Sequence, residues 1–216
     1  MKANFWLECW QRNEIGFHEA EIHPLLLAHW STVLSAIEDQ HARRNVFVPL
    51  CGKSRDMIWL MEQGHHVYGV ELSAIGVEAF FSENNIAFEK SAAGELTKYV
   101  ADQVTIFSGD IFALTGSMVP EIKLFYDRAA LVALPPGMRN AYAEKVISLL
   151  GDKANGLLIS LEYAADMINP PPHSLDPEQV EQSYGHVCDC ELLGQGVGEV
   201  KGKPCTEYAT HLRSLR

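Results

Sequence analysis

The sequence predicts an α/β protein built on a largely parallel sheet. Short apolar runs alternate with longer amphipathic segments, and the connections between them are short. A chain of 216 residues with 47% hydrophobic and 21% charged side chains is also the size and composition of one domain with a sizeable core. There is neither an internal repeat nor a low-complexity tract to suggest an array.

The elements follow in order. "HPLLLAHWSTVLSAI", from His23, has helical spacing. "NVFVPL" is a buried strand, "SRDMIWLMEQG" a helix closed by Gly64, "HVYGVEL" a second strand and "SAIGVEAFFSENN" a helix opened by Ser73 as its cap. After Asn85 the segments shorten: "AFEKS", "LTKYV" and "VTIFSGD" read as strands or a hairpin turning at Gly94. "KLFYDRA" is a strand and "PPGMRNAYAEKVISLLG" a helix whose prolines occupy its start, where a missing N–H costs little. "GLLISLEY" is a buried strand, "NPPPHSLDP" a loop, "PEQVEQSYG" a short helix and "EYATHLRSL" a terminal strand. Residues 1–22, rich in aromatics, stand outside the alternation.

Composition excludes several classes of partner. A net charge of −11 argues against nucleic-acid and anionic-membrane surfaces, which need clustered Lys and Arg. No long apolar run suggests a membrane span, and the amino terminus lacks a secretory pattern, so a cytoplasmic location is expected. Five cysteines, none in a C-x-x-C pair, fit free thiols in a reducing compartment, and "CDC" at 188–190 has no second pair with which to hold a metal.

A parallel sheet places its ligand at the carboxyl ends of the strands, which selects "PLCGKS", "ELS", "GDIF" and "DRAAL". Gly52, Lys53 and Ser54 resemble the end of a triphosphate loop, but that loop needs a glycine where this chain has Phe47. A nucleoside fits better. Gly52 follows a strand and opens a helix, and Glu71 stands 19 residues on at the next strand end, where a carboxylate can accept from ribose hydroxyls. Asp110 could accept from an adenine amino group beside Ile111 and Phe112. A helix-terminal carboxylate would explain Glu71 alone, and a simple turn would explain Asp110 alone; their convergence on one crevice favours a ligand. The loop has a single glycine, not the G-x-G-x-x-G that admits a pyrophosphate, so S-adenosylmethionine suits it better than a dinucleotide.

"FWLECWQRNEIGFHEAEIHPLL", "VFVPLCGKSRDMIWLMEQGHHVYGVELS", "GDIFAL" and "YDRAALVALPPGMRNAY" together resemble the thiopurine S-methyltransferase family. The resemblance implies a Rossmann-like, seven-stranded class I methyltransferase sheet with helices on both faces and an antiparallel last strand. It implies S-adenosylmethionine as methyl donor, S-adenosylhomocysteine as product, no metal, and a small thiol acceptor such as a thiopurine. A single domain over 1–216, with residues 1–22 as a lid, and a monomer are expected.

By the same resemblance Trp10 covers the cofactor, Leu50 and Glu71 contact its methionine and ribose parts, and Asp110 and Ile111 lie along the adenine. Gly52 lets the backbone approach. Arg128 lies near donor and acceptor, touching both and serving catalysis, and Phe17 borders the acceptor. Trp6 reads more simply as an aromatic staple, Lys53 as a surface pair, Asp127 as a partner of Arg128 or of a backbone N–H, and His18 and His23 as locally hydrogen-bonded. "PPPH" at 170–173 departs from the family's G-P-P-F and puts imidazole where an aromatic wall is expected, which leaves the acceptor open: another small thiol, or a selenium or tellurium compound. A non-catalytic adenosylmethionine-binding protein is the remaining alternative.

Overall fold

The structure, a computed structural model, describes residues 3–37 and 44–216. Residues 1 and 2, which begin the expected lid, lie outside the described residues.

The chain opens with α1 (Ala3–Gln11) and α2 (Pro24–Ser35), then alternates β1 (Asn45–Pro49), α3 (Arg55–Glu62), β2 (His66–Glu71) and α4 (Ala74–Glu83). Next come β3 (Glu89–Ala93), β4 (Leu96–Val100), β5 (Val104–Ser108), β6 (Leu124–Arg128), α5 (Pro136–Ser148) and β7 (Asn155–Glu162), and then α6 (Pro177–Tyr184), β8 (Cys188–Val200) and β9 (Lys203–Ser214).

Local chemistry accounts for the helix starts. His23 precedes α2 and its Nδ1 accepts from Leu25 N at 3.3 Å, with Pro24 as the first helical residue. The Ser54 hydroxyl caps α3 by accepting from Asp56 N, and Asp176 with Gln179 forms a capping box on α6. Ser73 precedes α4 as expected, but its side chain makes no capping bond. The Glu71 carboxylate takes that role by accepting from Ser73 N at 2.8 Å.

The strands form one sheet in the order β3-β4-β5-β2-β1-β6-β7-β9-β8. Pairings from β5 through β7 are parallel, and the last strand, β9, runs antiparallel to both neighbours. The expected seven strands are β5, β2, β1, β6, β7, β9 and β8. The described residues add two more, because the β3–β4 hairpin, turning at Gly94, pairs antiparallel onto β5 and covers its edge.

Helices cover both faces. Leu26, Trp30, Met57, Leu60, Val77 and Phe80 pack one face, from α2, α3 and α4. Tyr142, Val146, Val180 and Tyr184 pack the other, from α5 and α6. The chain moves from β1 to β2 on one side and returns to β6 on the other, so the topological switch lies between β1 and β6.

Candidate active site

Around that switch the strand ends share an unusual backbone. Leu50 (φ 46°), just past β1, and Ala129 (φ 64°), just past β6, are non-glycine residues in the left-handed region. Such conformations cost on the order of 1–3 kcal/mol and persist where neighbouring structure enforces them. They turn the chain sharply at the mouth of the crevice.

Glu71, at the end of β2, is buried. Its carboxylate accepts from Gly52 N at 3.0 Å and Ser73 N at 2.8 Å, and the Trp10 side chain donates to it as well. Burial pushes its pKa up, and the N–H groups of Ser73, Gly52 and Trp10 pull against that. The turn after β1, the start of α4 and the amino-terminal helix thus meet on one side chain. Trp10 lies so close to α4 that a Cβ at Gly76 would stand 2.7 Å from its ring.

In front of this carboxylate lies a cavity of about 170 Å³. Leu50, Glu71, Leu72, Asp110 and Ile111 line it, with an apolar wall of Phe112, Leu134 and Met138. Asp110 is exposed, lines the cavity, and its Oδ1 accepts from Phe112 N at 2.9 Å, which fixes the carboxyl. The donor and acceptor set fits an adenosine: two carboxylates for hydroxyl and amino groups, and an apolar slot for a ring.

A second cavity, of about 240 Å³, adjoins the first, and Trp6, Phe17, Ala129 and Ala133 line both. Trp6, Phe17 and Trp10 form a chain of edge-on ring contacts with centroids 5.5–5.6 Å apart. The second cavity also takes Arg128, Val132, Ile159, Pro171 and Pro172. Arg128 is partly buried; it donates to the Phe17 carbonyl at 2.8 Å and pairs with Glu19 at 3.3 Å. The end of β6 is thereby tied to the segment after α1.

The structure brings Trp10, Phe17, Leu50, Gly52, Glu71, Asp110, Ile111 and Arg128 to these two adjoining cavities, with Gly52 acting through its N–H and its packing against Trp10. Trp6 is no mere staple, because it faces both spaces. Lys53 pairs with Glu83 at 2.6 Å, away from either cavity. Asp127 leaves Arg128 alone and accepts instead from Leu131 N, Tyr142 and Tyr184 behind the sheet. His23 caps α2, whereas the buried Nδ1 of His18 has no hydrogen-bond partner among the described residues. The expected imidazole wall is absent: Pro171 and Pro172 form it, while the His173 N–H bonds to Val132 O beside it. Ser160 on β7 and Glu207 on β9 also border the second cavity, and no local motif marked them. Burial raises the Cys188 thiol to about 12, and among the described residues no group of three or more His, Cys, Asp or Glu could hold a metal ion.

A core of five parallel-paired strands extended by β9 and β8, with β9 antiparallel, and an acidic side chain at the end of its second strand beside the switch, define an S-adenosylmethionine-dependent methyltransferase of class I. The model of the thiopurine S-methyltransferase family matches residues 1–205. A thiopurine S-methyltransferase of Shewanella baltica is 41% identical over 193 residues, 89% of this chain and 86% of that protein. One from Shewanella sp. strain MR-7 is 44% identical over 181 residues, 84% of this chain and 81% of that protein. The chain belongs to the thiopurine S-methyltransferase family. Among solved structures, the 1,6-didemethyltoxoflavin-N1-methyltransferase of Burkholderia thailandensis, with bound S-adenosylhomocysteine, superposes with a TM-score of 0.62 at 14% identity, covering 99% of this chain and 87% of that one. At that identity the likeness speaks for the fold.

Proposed function

We propose that the protein methylates the sulfur of a thiopurine or another aromatic or heterocyclic thiol and releases S-adenosylhomocysteine. The observation that carries this reading is the pair of cavities meeting at Trp6, Phe17, Ala129 and Ala133, one fitted to adenosine and the other walled by Val132, Ile159, Leu161 and Pro172 with Arg128 among its charged groups. The names of the curated relatives support the same acceptor class.

Glu71 and Asp110 hold the ribose and adenine in this reading, Ile111 and Phe112 pack the ring, and the backbone around Leu50 and Gly52 receives the methionine part. Trp10 covers it. When bound, S-adenosylmethionine supplies an electrophilic methyl group on a sulfonium. The protein's task is then alignment and exclusion of water, with no metal. Arg128, at the second cavity, favours the thiolate form of an acceptor or positions a water that takes its proton. Residues 1–22 act as a lid on a single domain, because α1 and the Phe17–Glu19 turn supply walls to both cavities and hold Arg128. Free cysteines and a net charge of −11 suit a cytoplasmic monomer acting on small molecules.

Labelled methyl transfer across thiopurines, aryl thiols and selenite tests the reading, and sulfur methylation of the heterocyclic thiols is the expected result. Tight binding of S-adenosylhomocysteine with no acceptor methylated would make the protein a binder instead of an enzyme.

A further inference from the structure

Asp56 stands on the first turn of α3 and is almost wholly buried. The described residues that line the two cavities do not include it. An acidic side chain suits the positive end of a helix, but that attraction serves an exposed carboxylate equally and leaves the burial unexplained. A buried carboxylate is costly unless its oxygens are hydrogen-bonded.

Both oxygens are paired. Oδ1 accepts from His23 N at 2.9 Å, and Oδ2 accepts from the Tyr126 hydroxyl at 2.9 Å. Burial and the Asp56 charge hold the Tyr126 phenol well above its ordinary pKa, so it stays a donor. His23 is the residue on which the 1–22 segment ends, and its ring is fixed too: Nδ1 accepts from Leu25 N, and Nε2 stands 3.3 Å from Glu207 Oε2.

Tyr126 lies on β6 two residues before Arg128, which holds the same segment through Phe17 O and Glu19. The stretch 17–23 is therefore tied to one strand at both ends, directly at Arg128 and through Asp56 at Tyr126. Asp56 also belongs to the helix that follows the Gly52 turn, whose N–H bonds to Glu71. One side chain joins the root of the amino-terminal segment to the elements behind both cavities.

We infer that Asp56 is a positioning residue: it fixes the root of the lid against β6 and α3, and so governs how firmly the methyl donor is retained, without touching it. This rests on the lid of the proposed function. Calorimetry with S-adenosylhomocysteine reads affinity, and tryptic cleavage after the exposed Arg12, with and without that ligand at saturation, reads closure. In the wild type the ligand should slow cleavage at least about tenfold. Asp56→Ala removes both bonds and should weaken binding about tenfold and abolish most of that protection. Asp56→Asn keeps an oxygen for His23 N and offers its amide to the Tyr126 oxygen, so affinity should return to within about threefold of the wild type. If Asp56→Ala does not fold, Tyr126→Phe, which cuts the tie to β6 and keeps the ring against Trp30, should weaken binding about threefold and speed cleavage. A folded Asp56→Ala, or in its place Tyr126→Phe, that melts earlier but keeps wild-type affinity and protection would overturn the inference and leave the lid standing. Wild-type cleavage that the ligand does not slow would overturn the lid, and the inference with it.

Discussion

Asp127 gives the sharpest quantitative test of how the sheet supports the site. The residue lies on β6 immediately before Arg128, fully buried, and its oxygens accept from Tyr142 at 2.8 Å, Tyr184 at 3.3 Å and Leu131 N at 3.1 Å. Burial lifts its pKa from 3.8 to about 6, against the pull of those hydrogen bonds. A carboxyl whose folded pKa is raised binds its proton more tightly in the native than in the unfolded state. Its contribution is therefore full below pH 3.8 and is lost as pH rises through about 6. Two pH units at about 1.4 kcal/mol each give a change of about 3 kcal/mol. Urea denaturation of the wild type and of Asp127→Asn at pH 4, 5, 6 and 7 measures it. The amide keeps an oxygen for Leu131 N but cannot titrate, so the stability difference between the two proteins should move against the wild type by about 2.5 kcal/mol from pH 4 to pH 7, the rest of the change lying below pH 4. A difference that stays constant with pH would refute the reasoning, because it would mean that Asp127 has the same proton affinity folded and unfolded.

Three further outcomes bear on the cavities. Glu71→Gln should weaken S-adenosylhomocysteine by about 1.5–3 kcal/mol in calorimetry, the worth of hydrogen bonds to a charged group, and unchanged affinity would remove the ribose role. Gly76→Ala adds a Cβ 2.7 Å from the Trp10 ring at a helical position, so it should displace the indole. Ligand affinity should drop about tenfold with little loss of thermal stability, since alanine favours the helix by about 1 kcal/mol; equal losses in both would point to general disruption. Arg128→Glu should abolish thiol methylation, read with labelled donor, and unchanged methylation with intact cofactor affinity would exclude it from the chemistry.

How legible each part was follows from where its determinants lie in the chain. β1 and the first half of β7 are buried on both faces, so they read as unbroken apolar runs and could be placed by eye. Glu71 was legible for a similar reason, because one strand–helix–strand unit, β1–α3–β2, fixes both its place and its bond to Gly52. β8 was not. Its "GQGVG" has no strand-like alternation of apolar side chains, yet Gly194, Gly196 and Gly198 fall on one face of an edge strand, where side chains at Gly194 and Gly198 would run into His29 and Glu207. The glycines stand in for an apolar face, and pattern reading has no signal for a face made of absent side chains. Likewise Trp6 and Trp10 looked alike in sequence, and the path of α1 across the crevice decides what each one borders.

The second cavity was the least legible part, and this has a physical cause. Its inner polar groups come from β7 and β9, whose antiparallel register pairs Leu161 with Glu207 and Ser160 with Tyr208. That register depends on a hairpin of β8 and β9 closing over α2, a contact between residues more than 150 apart in sequence for Leu25 and Gly196. The adenosine end is made from consecutive βα units and travels with the fold. The second cavity is assembled from both termini of the chain, so in the proposed reading a substitution in β8 can alter what is methylated while leaving the first cavity in place.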